Sequence, residues 1–166
     1  RSDPVALLQE RGDLLLGVEH IGSTSVPGLP AKPVIDIMPL VRTVEEGAAC
    51  VPLLEALGYR HYGEYGIPGR RYFNLDARAT GVRLHNVHMY TPDHAEVRAH
   101  LLFRDYLRAH PEAARAYGEL KRRIVTEHPD DRVAYAKAKT RFVRAAMRAA
   151  GRLAEILSTH GESLDD

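Results

Sequence analysis

The sequence predicts an α+β fold, with all the strands before Asp93 and only helices after it. Two observations carry this. Up to Tyr90 the apolar residues come in short runs or in alternation, cut by most of the prolines and glycines. From Asp93 onward the apolar period becomes helical, and the only later prolines are Pro111 and Pro129. Strands followed by helices within one stretch of this length read as a single α+β domain.

Taken in order, Asp3-Pro4 before Val5-Ala6-Leu7-Leu8 reads as a capped helix start. Val18 to Gly22 is the first expected strand. Ser23 to Pro33 is a loop stiffened by Pro27, Pro30 and Pro33. Val34 to Val41 is a second strand, apolar enough to be central, with Pro39 marking an edge, bulge or end. Alternation puts Asp36 and Met38 on one face and Ile35 and Ile37 on the other. Thr43 with Glu46 three residues on reads as a capping box. The helix it opens would bury Ala48, Ala49, Val51, Leu53, Leu54 and Leu57 and stop at Gly58.

Tyr59 to Tyr65 and Arg71 to Leu75, separated by Gly66-Ile67-Pro68-Gly69, predict a hairpin. Val82 to Tyr90 is the next strand, with Val87 and Met89 on one face and Asn86, His88 and Tyr90 on the other. Helices are expected over His94 to Ala109, Glu112 to about Glu127 and Asp131 to about Ile156. A single domain is expected over 1–157, with 158–166 a polar tail.

Composition bounds the function. Net charge is +1, so bulk electrostatics favour neither nucleic acid nor an anionic membrane. One cysteine, Cys50, rules out an internal disulfide framework and a Cys-rich zinc site, and its place on an apolar helix face reads as a buried, inert thiol. No run is long and apolar enough to span a bilayer and no signal peptide is evident, so the expectation is a cytoplasmic protein. The chain begins at Arg1 rather than Met, which reads as a processed or partial sequence.

The chemistry concentrates between Val18 and Ile37. A Gly22-Ser23 turn at a strand end faces a strand-borne carboxylate, Asp36. Glycine lets backbone approach phosphate, hydroxyls donate to it, and the carboxylate can hold a divalent cation. Ser23, Thr24 and Ser25 beside Gly22 make an anion cradle, with turn capping as the bland alternative. Asp36 inside an apolar strand is costly to bury unless metal-bound or paired, for which Lys32 or an arginine would serve.

These residues resemble the signature of the GrpB family: His20-Ile21-Gly22-Ser23-Thr24-Ser25-Val26-Pro27-Gly28, then Lys32-Pro33-Val34-Ile35-Asp36-Ile37. The resemblance continues at Arg83 to His88, Leu101 to Arg108 and Tyr135 to Lys139, and covers roughly residues 14–148. It implies a nucleotidyltransferase-like mixed β-sheet with a C-terminal group of helices. Some relatives in that family are fused to dephospho-CoA kinase. Nucleotidyltransferases of this class carry Gly-Ser at one strand end and two carboxylates spaced Asp-x-Asp or Asp-x-Glu on the next. Gly22, Ser23 and Asp36 match. Met38 stands at the second carboxylate position, and a thioether is a poor ligand for magnesium.

The candidate set is therefore Asp36 and His88 for catalysis and metal. Gly22, Ser23, Thr24, Lys32, Arg71, Arg83, Arg104 and Lys139 are candidates for nucleotide or phosphate contact. His88 shares a strand face with Asn86 and is expected to approach Asp36, while His85 points the other way. His20, early in a strand, is expected to be packed. Arg104 either pairs with Asp105 or reaches the cleft, and Tyr135 and Lys139 share one helix face. Two readings follow. One is a magnesium- or manganese-dependent nucleotidyltransferase-like protein that takes a nucleoside triphosphate or other phosphorylated metabolite. The other is a non-catalytic nucleotide- or coenzyme-binding module with a degenerate site.

Overall fold

The structure is a computed structural model and describes residues 14–127 and 129–161. The strands are β1 (Gly17–Ile21), β2 (Ile35–Leu40), β3 (Arg60–His61), β4 (Arg71–Asp76) and β5 (Arg83–Met89). The helices are α1 (Val44–Ala56), α2 (Ala95–Ala109), α3 (Pro111–Glu127) and α4 (Arg132–Gly161). This is the expected α+β class, a mixed sheet followed by C-terminal helices. The helix expected from Pro4 begins outside the described residues. The chain divides into two compact units, one of residues up to 25 with 31–98, the other of 26–30 with 99 onward.

In the first unit the five strands form one sheet in the order β1-β2-β5-β4-β3. β2 and β5 run parallel, and every other neighbouring pair is antiparallel. β2 is interior, as its apolar run predicts. Ile37, Val87, Phe73 and His61 align across four strands. Phe73 and Val87 join Val41, Cys50, Leu54, Tyr59 and Met89 in the core on that side. α1 covers it with Gly47, Cys50 and Leu54. Ala48, Ala49 and Leu57, expected on the buried face, are exposed. The small Gly47 lets the helix sit close to Arg71, whose Nε would lie 3.2 Å from an added β-carbon. The opposite face carries the row Ile21, Asp36, Asn86 and Asn74.

Local chemistry sets the ends of these elements. The Thr43 side chain accepts from the Glu46 amide at 3.1 Å, giving the predicted N-cap. The reciprocal half of the box shifts by one residue: Glu46 Oε2 accepts from the Arg42 amide, and its other oxygen pairs with the Arg42 guanidinium. Gly58 adopts φ +97, which favours glycine, and ends α1. The hairpin forms, but β3 holds only Arg60 and His61, so 62–70 is one long connection.

In the second unit Val26, Leu29, Leu107, Ala114 and Tyr117 form a separate core. Phe103 meets Tyr117 edge-on at 5.5 Å, and Phe142 stacks on it at 4.9 Å. Pro111 opens α3, one residue before the expected start at Glu112. α4 runs on to Gly161, past the expected end near Ile156, because no proline interrupts it.

Candidate functional site

Gly22 turns the chain at the end of β1 with φ +73. Residues Ser23–Ser25 follow as a single 3-10 turn. The hydroxyl of Ser25 donates to the Gly22 carbonyl at 2.5 Å, and Ser25 is buried, so this hydroxyl holds the turn from within. Thr24 Oγ1 lies 2.8 Å from His20 Nε2. His20 is exposed rather than packed, on β1 at the edge of the sheet.

Asp36 meets this turn across the β1–β2 pair, where Ile21 and Asp36 are direct partners. A β-carbon on Gly22 would lie 2.7 Å from Asp36 Oδ2. That oxygen therefore points at the turn. The other oxygen, Oδ1, accepts from Asn86 Nδ2 at 3.2 Å and lies 3.3 Å from His88 Nε2. Parallel pairing of β2 with β5 brings these residues together, since Asp36 is in register with Asn86.

The amide of Asn86 is oriented by its surroundings. Its oxygen accepts from the Tyr72 hydroxyl at 2.9 Å and from Arg83 at 3.0 Å. A reversed amide would set NH2 against two donors. Burial pushes the Tyr72 phenol up, so it remains a donor. Arg83 in turn pairs with Asp76 at 2.5 Å, and that hydrogen bond, above all, raises its already high pKa. Arg83 thus acts on Asp36 through Asn86.

A residue outside the predicted set completes the cluster. Arg70 is 8% exposed. Its guanidinium donates to the carbonyls of Glu64 (3.1 Å) and Tyr65 (2.6 Å) and lies 3.5 Å from His88 Nδ1. It also stands over the Tyr72 ring, 5.0 Å from its centroid. Arg70 and Asp36 thus face the two ring nitrogens of His88 from opposite sides.

Of the remaining candidates, Arg71 and Lys32 belong to the first unit and Arg104 and Lys139 to the second. Arg71 is on the α1 side of the sheet and donates to the Val44 carbonyl at 3.3 Å. It is not brought to Asp36. Lys32 is exposed on the loop before β2. In the second unit Arg104 pairs with Asp105 at 2.9 Å. Lys139 stands near enough to Lys121 to help lower the Lys121 pKa, after desolvation by burial. The signal for Arg70 was the two-residue alternation: it shares parity with Tyr72 and Asn74, but the face that parity selects depends on a hairpin register no local rule sets.

Met38 is fully buried, with 0% exposure. Among the described residues no three His, Cys, Asp or Glu side chains gather to hold a metal. Asp36 Oδ2, facing the Gly22 turn, is a carboxylate oxygen of the kind that holds a hard cation.

Among the described residues no helix is long and apolar enough to cross a membrane. Comparison with known proteins places the chain. UPF0157 protein YqkA from Bacillus subtilis is 42% identical over 135 residues, 81% of this chain and 38% of that protein. A protein named dephospho-CoA kinase from Mycolicibacterium paratuberculosis is 31% identical over 161 residues, 84% of this chain and 40% of its own length. The chain thus spans about two fifths of these two curated relatives. The crystal structure of conserved protein GrpB from Enterococcus faecalis superposes with a TM-score of 0.76 at 40% identity, covering 87% of this chain and 86% of that one. The sequence profile described as GrpB protein matches residues 5–149, so with the Gly22 turn and the Asp36 strand inside that match, this chain belongs to the GrpB family.

Proposed function

We propose that the first unit binds a nucleotide or another phosphorylated small molecule, its phosphates at the Gly22-Ser23-Thr24 turn and a single magnesium or manganese ion held by Asp36. The observation that carries this is the closeness of the turn and the carboxylate, 2.7 Å from a Gly22 β-carbon to Asp36 Oδ2. A phosphate beside a bare carboxylate would be repelled, and a cation between them reverses the sign. His88, on the other carboxylate oxygen, would orient Asp36 and could add a nitrogen ligand suited to manganese. The ion supplies charge neutralisation. Burial of Met38 and the lack of a third ligand side chain among the described residues favour binding over two-metal nucleotidyl transfer. The family resemblance supports a nucleotide as the ligand class, and the dephospho-CoA kinase relative supports a coenzyme-linked one.

The test is a thermal-shift titration with ATP, GTP, CTP, UTP and dephospho-CoA, each with and without magnesium or manganese. Binding to the native state raises Tm by linkage. A metal-dependent shift that disappears in Asp36→Asn is the expected result. A shift indifferent to metal and to Asp36 would sink the one-cation reading. Pyrophosphate release with any acceptor would restore transfer.

A further inference from the structure

The connection between β3 and β4 carries an aromatic surface that the phosphate site alone does not use. Tyr65 stacks on Tyr72 with ring centroids 5.0 Å apart and planes 13° from parallel. Tyr62 meets the edge of Tyr65 at 5.6 Å. Tyr65 is nonetheless 64% exposed, so one ring face is covered and much of the rest meets solvent. Aromatic rings are usually placed where they bury area, and clustered ones left open, Tyr65 beside the 39% exposed Tyr62, form a patch of the kind found at binding sites.

Tyr65 is held still by its backbone. It has φ 48, the left-handed region, and is the non-glycine residue found there among the described residues. That conformation is costly for a bulky side chain and persists only where its surroundings impose it. Arg70 imposes it through two bonds to the carbonyls of Glu64 and Tyr65. The Glu64 carboxylate closes the same loop on the Gly69 amide. The loop is therefore preorganised, and the ring loses little freedom on binding.

Position gives the surface its meaning. Tyr72, under Tyr65, donates to Asn86, and Asn86 donates to Asp36. All three lie on one face of neighbouring strands β2, β5 and β4. Two strand spacings and a two-residue offset along the strand put the Tyr72 backbone about 12 Å from that of Asp36. A ligand with phosphates at one end and a flat ring at the other can touch both.

We infer that Tyr65, backed by Tyr72 and edged by Tyr62, is a stacking platform for the planar ring of the ligand, which makes that ligand a nucleotide or nucleotide-bearing coenzyme and not a sugar phosphate. This rests on the proposed phosphate site. Stacking tolerates different bases, so the platform predicts preference for an aromatic ring more than for one base.

The experiment is calorimetric titration of wild type, Tyr65→Ala and Tyr65→Phe with the four nucleoside triphosphates and with inorganic tripolyphosphate, all with magnesium. At least one nucleotide should bind wild type about tenfold or more tightly than tripolyphosphate. Tyr65→Ala should remove that advantage and leave tripolyphosphate within about twofold, while Tyr65→Phe keeps it. Melting curves of the three proteins check that the loop change leaves the fold intact. Tripolyphosphate and nucleotides binding alike, or no effect of Tyr65→Ala on nucleotide, overturns the platform and spares the phosphate site. Binding of neither overturns both.

Discussion

Gly22 and Asp36 are fitted so closely that the first carbon of any side chain at Gly22 would lie 2.7 Å from the Asp36 carboxylate. Backbone conformation and space both select glycine here, since Gly22 also has φ +73. Gly22→Ala should cost about 1 kcal/mol for the conformation and more for the displaced carboxylate. That corresponds to a fall in Tm of roughly 3 °C or more for a chain of this size. Thermal denaturation checks it, and nucleotide binding should weaken with it.

Met38 decides whether the missing carboxylate can simply be put back. At 0% exposure it has no access to solvent. Met38→Leu should cost under about 1.5 kcal/mol, as volume-conserving exchanges do. Met38→Asp should cost several kcal/mol, because the carboxyl must be buried without a partner or protonated. Denaturant titration of both variants would show the contrast, and equal midpoints would contradict the burial.

Tyr72 orders the site through Asn86. Tyr72→Phe keeps the ring against Tyr65 and removes the hydroxyl that donates to Asn86 at 2.9 Å. The expected loss is about 1 kcal/mol of stability, measured by urea denaturation. With one of its two oxygen-side donors gone, Asn86 should hold Asp36 less firmly, and metal-dependent nucleotide affinity should fall several-fold.

His61 supplies a pH-dependent element away from the site. Its ring packs on Phe73 at 4.7 Å, and Nε2 is buried with no hydrogen-bond partner among the described residues. Burial, with the Arg71 charge, lowers its pKa from the ordinary 6.5, against an opposing pull from Glu55. A lowered folded pKa means the unfolded chain binds the proton more readily. Stability from this group is therefore complete above pH 6.5 and lost as pH falls through the lower folded value. His61→Leu should lose less stability than wild type over that acid interval, read from denaturant midpoints at a series of pH values.

Local rules made much of this legible before any coordinates. Glycine and proline punctuation marked the turn at Gly22, the stop at Gly58 and the start of α3 at Pro111. Two-residue alternation separated His85 from His88 and put His88 with Asn86. The His85 ring indeed turns away, its Nδ1 2.8 Å from the Tyr59 hydroxyl. On α1 the expected burial of Cys50 and Leu54 is found, while Ala48, Ala49 and Leu57 are exposed and Gly47 is buried, because apolar character alone does not say which side of the helix meets the sheet.

The sequence by itself determined most elements and their order, because these depend on neighbours within a few residues, and it pointed to the meeting of a Gly-Ser turn with a strand carboxylate because the two lie on consecutive strands joined by one loop. Only the tertiary structure decided which arginine serves the site. Arg70 and Arg71 are adjacent and chemically identical. Alternation alone sends them to opposite faces, and the pairing of Tyr72 with His88, a register set across the sheet, decides which face carries Asp36. A second long-range pairing, β2 parallel to β5, set Asn86 against Asp36, fifty residues apart in the chain and 3.2 Å apart in space.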